Sequence, residues 1–303
     1  MRAILLALCA LFGVARVGLG AEPPAVRDFT AASAGQQLRD APKGVAVAES
    51  AGGGRCLAVA GSVGQYDLIA VAVQPETKYR INLRARIDGE RTIEQNDRAH
   101  IDAVQRNGRW EASYQVVFFD DSTNAEGWVQ NGGFILTAAW HDYVHVFHTP
   151  PNVRRVCIRL LPRKHGTYVE RVSLVPDDEG GTVNANPDFR YGELNYCGWR
   201  PQRDGRIYRR PDGSCVFRSG YGGASPLFPL RAGLPYRLAA TGDGGHMNLD
   251  YSDAQGKIIT SRFLLRPTPE GVSVELTPPD GTVSGRVVLY GVLLDAFTVI
   301  PGK

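Results

Sequence analysis

No window of the 303 residues carries apolar side chains at a sustained three-to-four spacing, so amphipathic helices are not its framework. Beyond the first 20 residues, no apolar run approaches the roughly 20 residues that a membrane-spanning helix needs. Local catalytic signatures are missing too. There is no Gly-x-Ser-x-Gly elbow, and Gly222 to Pro226 reads as a turn. There is no His-Glu-x-x-His and no Cys-x-x-Cys for zinc, and no Glu-x-Asp-x-x-Glu to supply the two carboxylates of a jelly-roll glycosidase. The expectation is therefore a chain without catalytic residues, although carboxylates distant in sequence can still meet in space.

Charge of one sign is also lacking. Removing the first 20 residues takes Arg2 and Arg16 and no acid, which leaves 32 basic against 31 acidic residues. That balance gives no reason to expect nucleic acid or an anionic membrane as partner.

The N-terminus has a positive Arg2, an apolar Ala3–Ala15 stretch and small residues at Gly18 and Gly20, the pattern of a signal peptide over residues 1–20. The expected location is secreted, periplasmic or at the cell surface. Four cysteines remain: Cys56, Cys157, Cys197 and Cys215. Pairing within each half gives Cys56–Cys157 and Cys197–Cys215; buried free thiols are the alternative.

Strand signals dominate from Val45 onward. In Tyr79–Arg86, Tyr79, Ile81, Leu83 and Ala85 alternate with Arg80, Asn82, Arg84 and Arg86, the period of a half-buried strand. Similar runs occupy 56–60, 66–73, 114–120, 144–148, 156–161 and 167–175. With 35 glycines and 19 prolines spaced between them, the fold class is all-β. His141, His145 and His148 fall in one such strand, where His141 and His145 stand about 13 Å apart, too far to share an ion.

The pattern then repeats. Gly54, Cys56, Leu57, Gly61, Gly64 and Leu68 recur at one offset as Gly213, Cys215, Val216, Gly220, Gly223 and Leu227. Pro75 with Tyr79-Arg80 is answered by Pro235 with Tyr236-Arg237, and Phe118-Phe119-Asp120 by Tyr251-Ser252-Asp253. Glu170-x-Val172-x-Leu174 closes the first copy and Asp295-x-Phe297-x-Val299 the second. The expected organisation is a domain over 21–178 and another over 183–303. Val183–Pro201 is expected to be the first strand of the second copy, with Phe189 and Trp199 in its core.

These landmarks resemble carbohydrate-binding modules of the galactose-binding-domain-like superfamily. The residues that carry the resemblance are Asn186-Pro-x-Phe189 with Gly198-Trp199; Pro75-x-Thr77-x-Tyr79; Trp140 with Phe147 and Pro150; and the closing Glu170–Leu174 strand. The resemblance spans nearly all of the chain after residue 20 and implies two tandem jelly-roll β-sandwiches. It implies core positions for Trp140 and Trp199. It also implies a structural Ca²⁺ joining last strand to first, with Asp28 near Glu170 and Asn186 near Asp295 as ligands; an arginine salt bridge is the alternative for either acid.

A sugar is held by a flat aromatic face and planar polar groups. The outward side of the Tyr79 strand offers Asn82, Arg84 and Arg86, a neighbouring strand offers Gln115, and Trp128 is the best exposed aromatic. These five are the candidate carbohydrate-binding residues; a merely solvated sheet face is the alternative. The arginines around Tyr208, namely Arg200, Arg203, Arg206, Arg209 and Arg210, suit an anionic polysaccharide or a solvated basic loop. The expected function is non-catalytic binding of a poly- or oligosaccharide. A structural or protein-interaction module and a polysaccharide-active enzyme remain as alternatives.

Overall fold

A computed structural model describes residues 25–28, 41–50, 53–88, 113–120, 126–131, 136–162, 166–177, 181–200 and 205–302. Among the described residues there are strands and turns and no α-helix. The first copy contains β1 (Ala25–Asp28), β2 (Val45–Glu49), β3 (Arg55–Val59), β4 (Tyr66–Ala72), β5 (Lys78–Ile87), β6 (Ser113–Asp120), β7 (Glu126–Asn131), β8 (His141–His148), β9 (Val153–Leu161) and β10 (Thr167–Pro176). The second contains β11 (Arg206–Arg209), β12 (Cys215–Arg218), β13 (Tyr221–Ala224), β14 (Phe228–Pro229), β15 (Tyr236–Asp243), β16 (His246–Ser252), β17 (Ile258–Leu265), β18 (Val272–Leu276), β19 (Ser284–Tyr290) and β20 (Leu293–Pro301).

The sheets repeat with the sequence. One sheet of the first copy runs β2-β3-β10-β5-β8, with β1 also on β10, and its partner sheet runs β4-β9-β6-β7. The second copy repeats both orders, as β11-β12-β20-β15-β18 and β13-β19-β16-β17, with β14 also on β19. All strand ladders are antiparallel. Each pair of sheets encloses its own apolar cluster, the first around Leu57, Ile81, Leu83, Phe118 and Val172, the second around Trp199, Phe217, Leu249, Leu289 and Phe297. The expected alternation of β5 holds: Tyr79, Ile81, Leu83, Ala85 and Ile87 are buried and the intervening residues are half-buried. Two tandem β-sandwiches are thus present.

A small motif marks the repeat at atomic scale. The Tyr79 hydroxyl accepts the Gln74 N–H at 2.8 Å, and the Tyr236 hydroxyl accepts the Arg231 N–H at 3.0 Å. Each tyrosine lies in the core and pins the turn five residues upstream of it.

The Gly-x-Cys landmark does not keep its facing. Leu57 is a core residue, so Cys56 points away from the core, whereas Cys215 itself belongs to the second core. A one-residue slip is enough, because side chains alternate faces along a strand. Nor is either expected disulfide linked: all four cysteines are buried free thiols. Cys56 and Cys157 turn outward on opposite sheets, flanked by the core residues Leu57, Val156 and Ile158. Sheets stacked about 10 Å apart hold them beyond disulfide reach. Cys197 instead donates to the Val144 carbonyl at 3.3 Å, and burial pushes its thiol up to about 12.

The described part of the expected first strand, Val183–Arg200, differs from a strand. Asn186, Phe189 and Cys197 take positive φ of 46°, 55° and 48°, which breaks any ladder. The segment nonetheless lies beside β20, as β1 lies beside β10. Val183 N–H bonds Val299 O at 2.9 Å, and Phe297 N–H bonds Pro187 O at 2.7 Å. Between them the Asn184 amide donates to Phe297 O at 2.6 Å and accepts from Val299 N at 2.8 Å. A side chain thus does what a strand's backbone would do. Phe189 and Trp199 are core residues as expected, and the Trp199 indole donates to Ala185 O at 3.2 Å.

The same segment covers the outer edge of β8. Asn195 Oδ1 accepts the Val144 N–H at 2.8 Å, and Leu194 packs against both cores. An exposed strand edge is a template for unwanted pairing, and here it is closed by the other copy.

Candidate functional site

The sequence-derived constellation falls on two different sheets. Asn82, Arg84 and Arg86 stand on the outer face of β5, while Gln115 is on β6 in the partner sheet. Trp128 is on β7, paired in register with the core residue Phe118; its side chain lies outside the described residues. The arginine at 203 also lies outside them.

The β5 face is saturated with its own partners. Arg84 Nε donates to Glu170 Oε2 at 2.8 Å, and its Nη1 donates to Asp142 Oδ2 at 3.0 Å. Ser50 completes the chain by donating to Glu170 Oε1 at 3.1 Å. Arg86 is layered 4.1 Å over Tyr168 and 5.6 Å from the Trp140 ring, so Trp140 is half-buried outside the core rather than within it. Asn82 reaches Ser173 Oγ at 3.4 Å.

The four residues expected at calcium divide the same way. Glu170 is held by Arg84, and Asp295 by Arg210 Nη1. Asp28 is opposite Arg171 in register. Buried Asn186 donates to Asn195 O at 3.4 Å and is not brought to Asp295 by any bond. Among the described residues no three or more His, Cys, Asp or Glu converge on one point. At Glu170 and Asp295 the present residues suit a guanidinium, the alternative weighed for these acids, better than a divalent ion.

A different surface brings aromatic groups together. On the outer face of the second copy's β13-β19-β16-β17 sheet, one side chain from each strand forms a continuous row. Tyr221 meets Tyr290 edge-on at 5.6 Å and 73°. Tyr290 stacks on His246 at 4.7 Å and 15°, and His246 on Phe263 at 6.1 Å and 28°. The register produces this: Tyr221 and His246 both pair with Tyr290, on its two sides. A bulge between Met247 and Asn248 brings Phe263 alongside. The inner faces of the rings are used by their neighbours. The ends of the row are open, Tyr221 being 62% and Phe263 57% exposed.

Polar groups border the row. Asn248 lies on the same outer face as His246, and below it Arg286 Nη2 pairs with Asp250 Oδ2 at 2.9 Å. Arg200 approaches Arg286; burial first and the Arg286 charge second push its guanidinium pKa down. At the Tyr221 end the row opens into a cleft of about 510 Å³ lined by Tyr208, Arg218, Gly220, Tyr221, Gly291 and Leu293.

The matching face of the first copy has other chemistry. Leu161 pairs with the first residue of β6, as Tyr290 pairs with the first residue of β16. Asp67 and Arg159 form an ion pair at 2.7 Å, and Arg155 covers the Phe119 ring at 4.0 Å.

Sequence reasoning missed the row because its members are far apart and lie in differently patterned strands. Phe263-Leu264-Leu265 reads as one apolar run, although Phe263 is exposed while Leu264 and Leu265 are buried. The available signal was the equivalence of β16 and β19 with β6 and β9, which aligns His246 and Tyr290.

No protein-family model and no curated protein matches the chain. Among solved structures it is similar to the tandem CBM22-1–CBM22-2 domain of Xyn10C from Paenibacillus barcinonensis, at 11% identity and a TM-score of 0.32, over 93% of this chain and 98% of that one. It is also similar to the tandem CBM51 modules of a family 98 glycoside hydrolase from Streptococcus pneumoniae, at 9% identity and a TM-score of 0.21, over 92% and 100% of the two chains. A third likeness is to a structure of Sulfolobus turreted icosahedral virus, at 12% identity and a TM-score of 0.30, over 86% of this chain and 58% of that one. Identities and scores this low carry no argument about function.

Proposed function

We propose that the chain is an exported, non-catalytic glycan-binding protein whose sugar seat is the outer face of the β13-β19-β16-β17 sheet. The observation that supports this is the row Tyr221–Tyr290–His246–Phe263, open at both ends and bordered by Asn248 and the Arg286–Asp250 pair. Aromatic surfaces bury the apolar faces of sugars, and planar amides and guanidiniums bridge their hydroxyls. Four strands at about 4.8 Å spacing give the row a span of about 14 Å, which suits a chain of sugars. The sugar-binding face thereby moves from the Asn82–Arg84–Arg86 surface to the second copy. A glycan array probed with wild type and Phe263→Ala tests it. Retained binding in the variant, or no binding of wild type to any glycan, contradicts it.

A structural role is favoured for the first copy by one observation: the Asp142–Arg84–Glu170–Ser50 chain leaves its β5 face engaged with itself.

A further inference from the structure

The β13-β19-β16-β17 sheet ends differently on its two sides. The β13 side is closed by the chain itself, because Arg200 and Ala224 exchange backbone hydrogen bonds at 2.7 and 2.8 Å. On the other side β17 pairs with β16 alone among the described residues. Every residue from Ile258 to Phe263 is exposed, including Ile258 at 47%, Ile259 at 42% and Phe263 at 57%. The edge of the facing sheet, β18, is shorter and exposes Ser273 and Glu275 instead. Edge strands are usually kept short or guarded by charge, since their unpaired N–H and C=O groups recruit another strand. The one charge within β17 does not stand on its outer face. Arg262, in register with the core residue Leu249, turns inward and lies 5.7 Å over the Tyr251 ring.

The sequence of β17 fits itself. When identical strands pair antiparallel in one sheet, directly opposed residues lie on the same face, so the twofold axis must pass beside a residue that opposes its own counterpart. Centring on Arg262 sets two guanidiniums against each other, which repels. Centring on Thr260 sets Phe263 against Lys257 and Ile258 against Arg262. Centring on Phe263 requires Leu264 and Leu265, which are buried. Centring on Ser261 sets Phe263 of each molecule against Ile259 of the other, and Arg262 against Thr260. Aromatic and β-branched side chains are favourable cross-strand neighbours, and in this register no like charges meet. Bulges between Met247 and Asn248 and between Tyr251 and Ser252 in the β16–β17 ladder leave Thr260–Phe263 as the regular run, and Ser261 lies within it.

We infer that β17 is a self-association edge, on which two molecules of this chain pair antiparallel about Ser261 and join two four-stranded sheets into one of eight strands. The axis is then perpendicular to the sheet, so the aromatic rows of both molecules face the same side. Side chains stand roughly perpendicular to a sheet, so the partner strand flanks the Phe263 ring without capping it. The dimer rests on the edge alone and not on the glycan reading of the row. A run this short makes a small interface, so association in the micromolar range is expected.

The test is sedimentation equilibrium of the full chain without glycan, from about 1 to about 500 µM, which brackets weak association. Wild type is compared with Ser261→Lys and Ser273→Lys, with melting temperature as the folding control. Ser261 is exposed, so its lysine variant meets only solvent in the monomer and its own counterpart in the dimer. Wild type is expected to pass from monomer to dimer over this range. Ser261→Lys is expected to weaken the dimer tenfold or more, and Ser273→Lys to leave it unchanged. Ser261→Cys gives an arm that does not depend on the lysine variant. Opposed Cα atoms about 4.5–5.5 Å apart are within disulfide reach, so mild oxidation is expected to yield a covalent dimer, which Ser273→Cys does not form. Wild type that stays monomeric throughout overturns the inference. So does a dimer that Ser261→Lys leaves unchanged, or a Ser261→Cys variant that cross-links no faster than Ser273→Cys. These readouts contain no glycan, so their failure leaves the aromatic row standing, and failure of glycan binding leaves the dimer standing.

Discussion

His145 gives the clearest prediction about the first sandwich. It lies on the core face of β8, between Tyr143 and Phe147, with its ring 5.3 Å from Tyr114 and 6.0 Å from Phe147. Burial lowers its pKa from 6.5 to about 3. His148, at the end of the same strand, falls to about 4, first through burial and then through the Lys78 charge, against a backbone bond to Val183 that raises it. Above pH 6.5 both residues are largely neutral in folded and unfolded chain alike, and stability is unaffected. As pH falls below 6.5 the unfolded chain takes up protons that the folded chain refuses. Stability is lost progressively, until about pH 3 for His145 and about pH 4 for His148. At about 1.4 kcal/mol per pH unit once the unfolded imidazole is mostly protonated, each residue removes roughly 2 kcal/mol between pH 6.5 and 4.5. Together they remove about 4 kcal/mol, a large share of the stability of many domains. The assay is urea unfolding at pH 7.5, 6.5, 5.5 and 4.5, comparing wild type with His145→Phe, which keeps an aromatic ring against Tyr114 and Phe147. Other titrating groups act equally in both proteins, so the difference isolates the imidazole. The variant is expected to gain roughly 2–3 kcal/mol on wild type between pH 6.5 and 4.5. Parallel pH profiles for the two proteins would refute the argument from burial.

Other expectations concern the junctions. Asn184→Ala strands the Phe297 carbonyl and the Val299 N–H in the core of the second copy; each buried unsatisfied group costs about 1–3 kcal/mol, read as a lower urea midpoint. Asn184→Asp is expected to be nearly as damaging, because the Phe297 carbonyl then loses its donor. Arg84→Ala leaves the partly buried Glu170 with only Ser50. The loss is expected to be about 1–2 kcal/mol, read as a lower urea midpoint. Calcium tethering the closing strands would have to share Glu170 with Arg84 and Asp295 with Arg210. EDTA then lowers the melting temperature, and an unchanged curve removes the ion from the account.

The fold was legible because it is written in local patterns. Alternation set the inward face of β5, and the recurrence of landmarks foretold two tandem β-sandwiches. The places where the reading slipped are those where a short-range pattern meets a long-range choice. The Gly-x-Cys landmark recurs, yet a one-residue shift turns Cys56 outward and Cys215 inward. Val183–Pro187 occupies a first strand's place without its backbone ladder, because the Asn184 side chain supplies the bonds. The site was less legible still. Asn82, Arg84 and Arg86 share a face, as alternation demands, but alternation says nothing of Glu170, Asp142 and Tyr168 on neighbouring strands, which engage Arg84 and Arg86. The aromatic row required the register of four strands, and each of its members looks unremarkable in its own segment.

The central claim is that sugar sits on the second copy's aromatic row and not on the first copy's arginine face. The most direct measurement is calorimetric titration of one bound glycan against Phe263→Ala and Asn82→Ala in parallel, both residues lying away from the cores. The account predicts at least tenfold weaker binding for Phe263→Ala and wild-type affinity for Asn82→Ala. Wild-type affinity for Phe263→Ala together with loss in Asn82→Ala would contradict it.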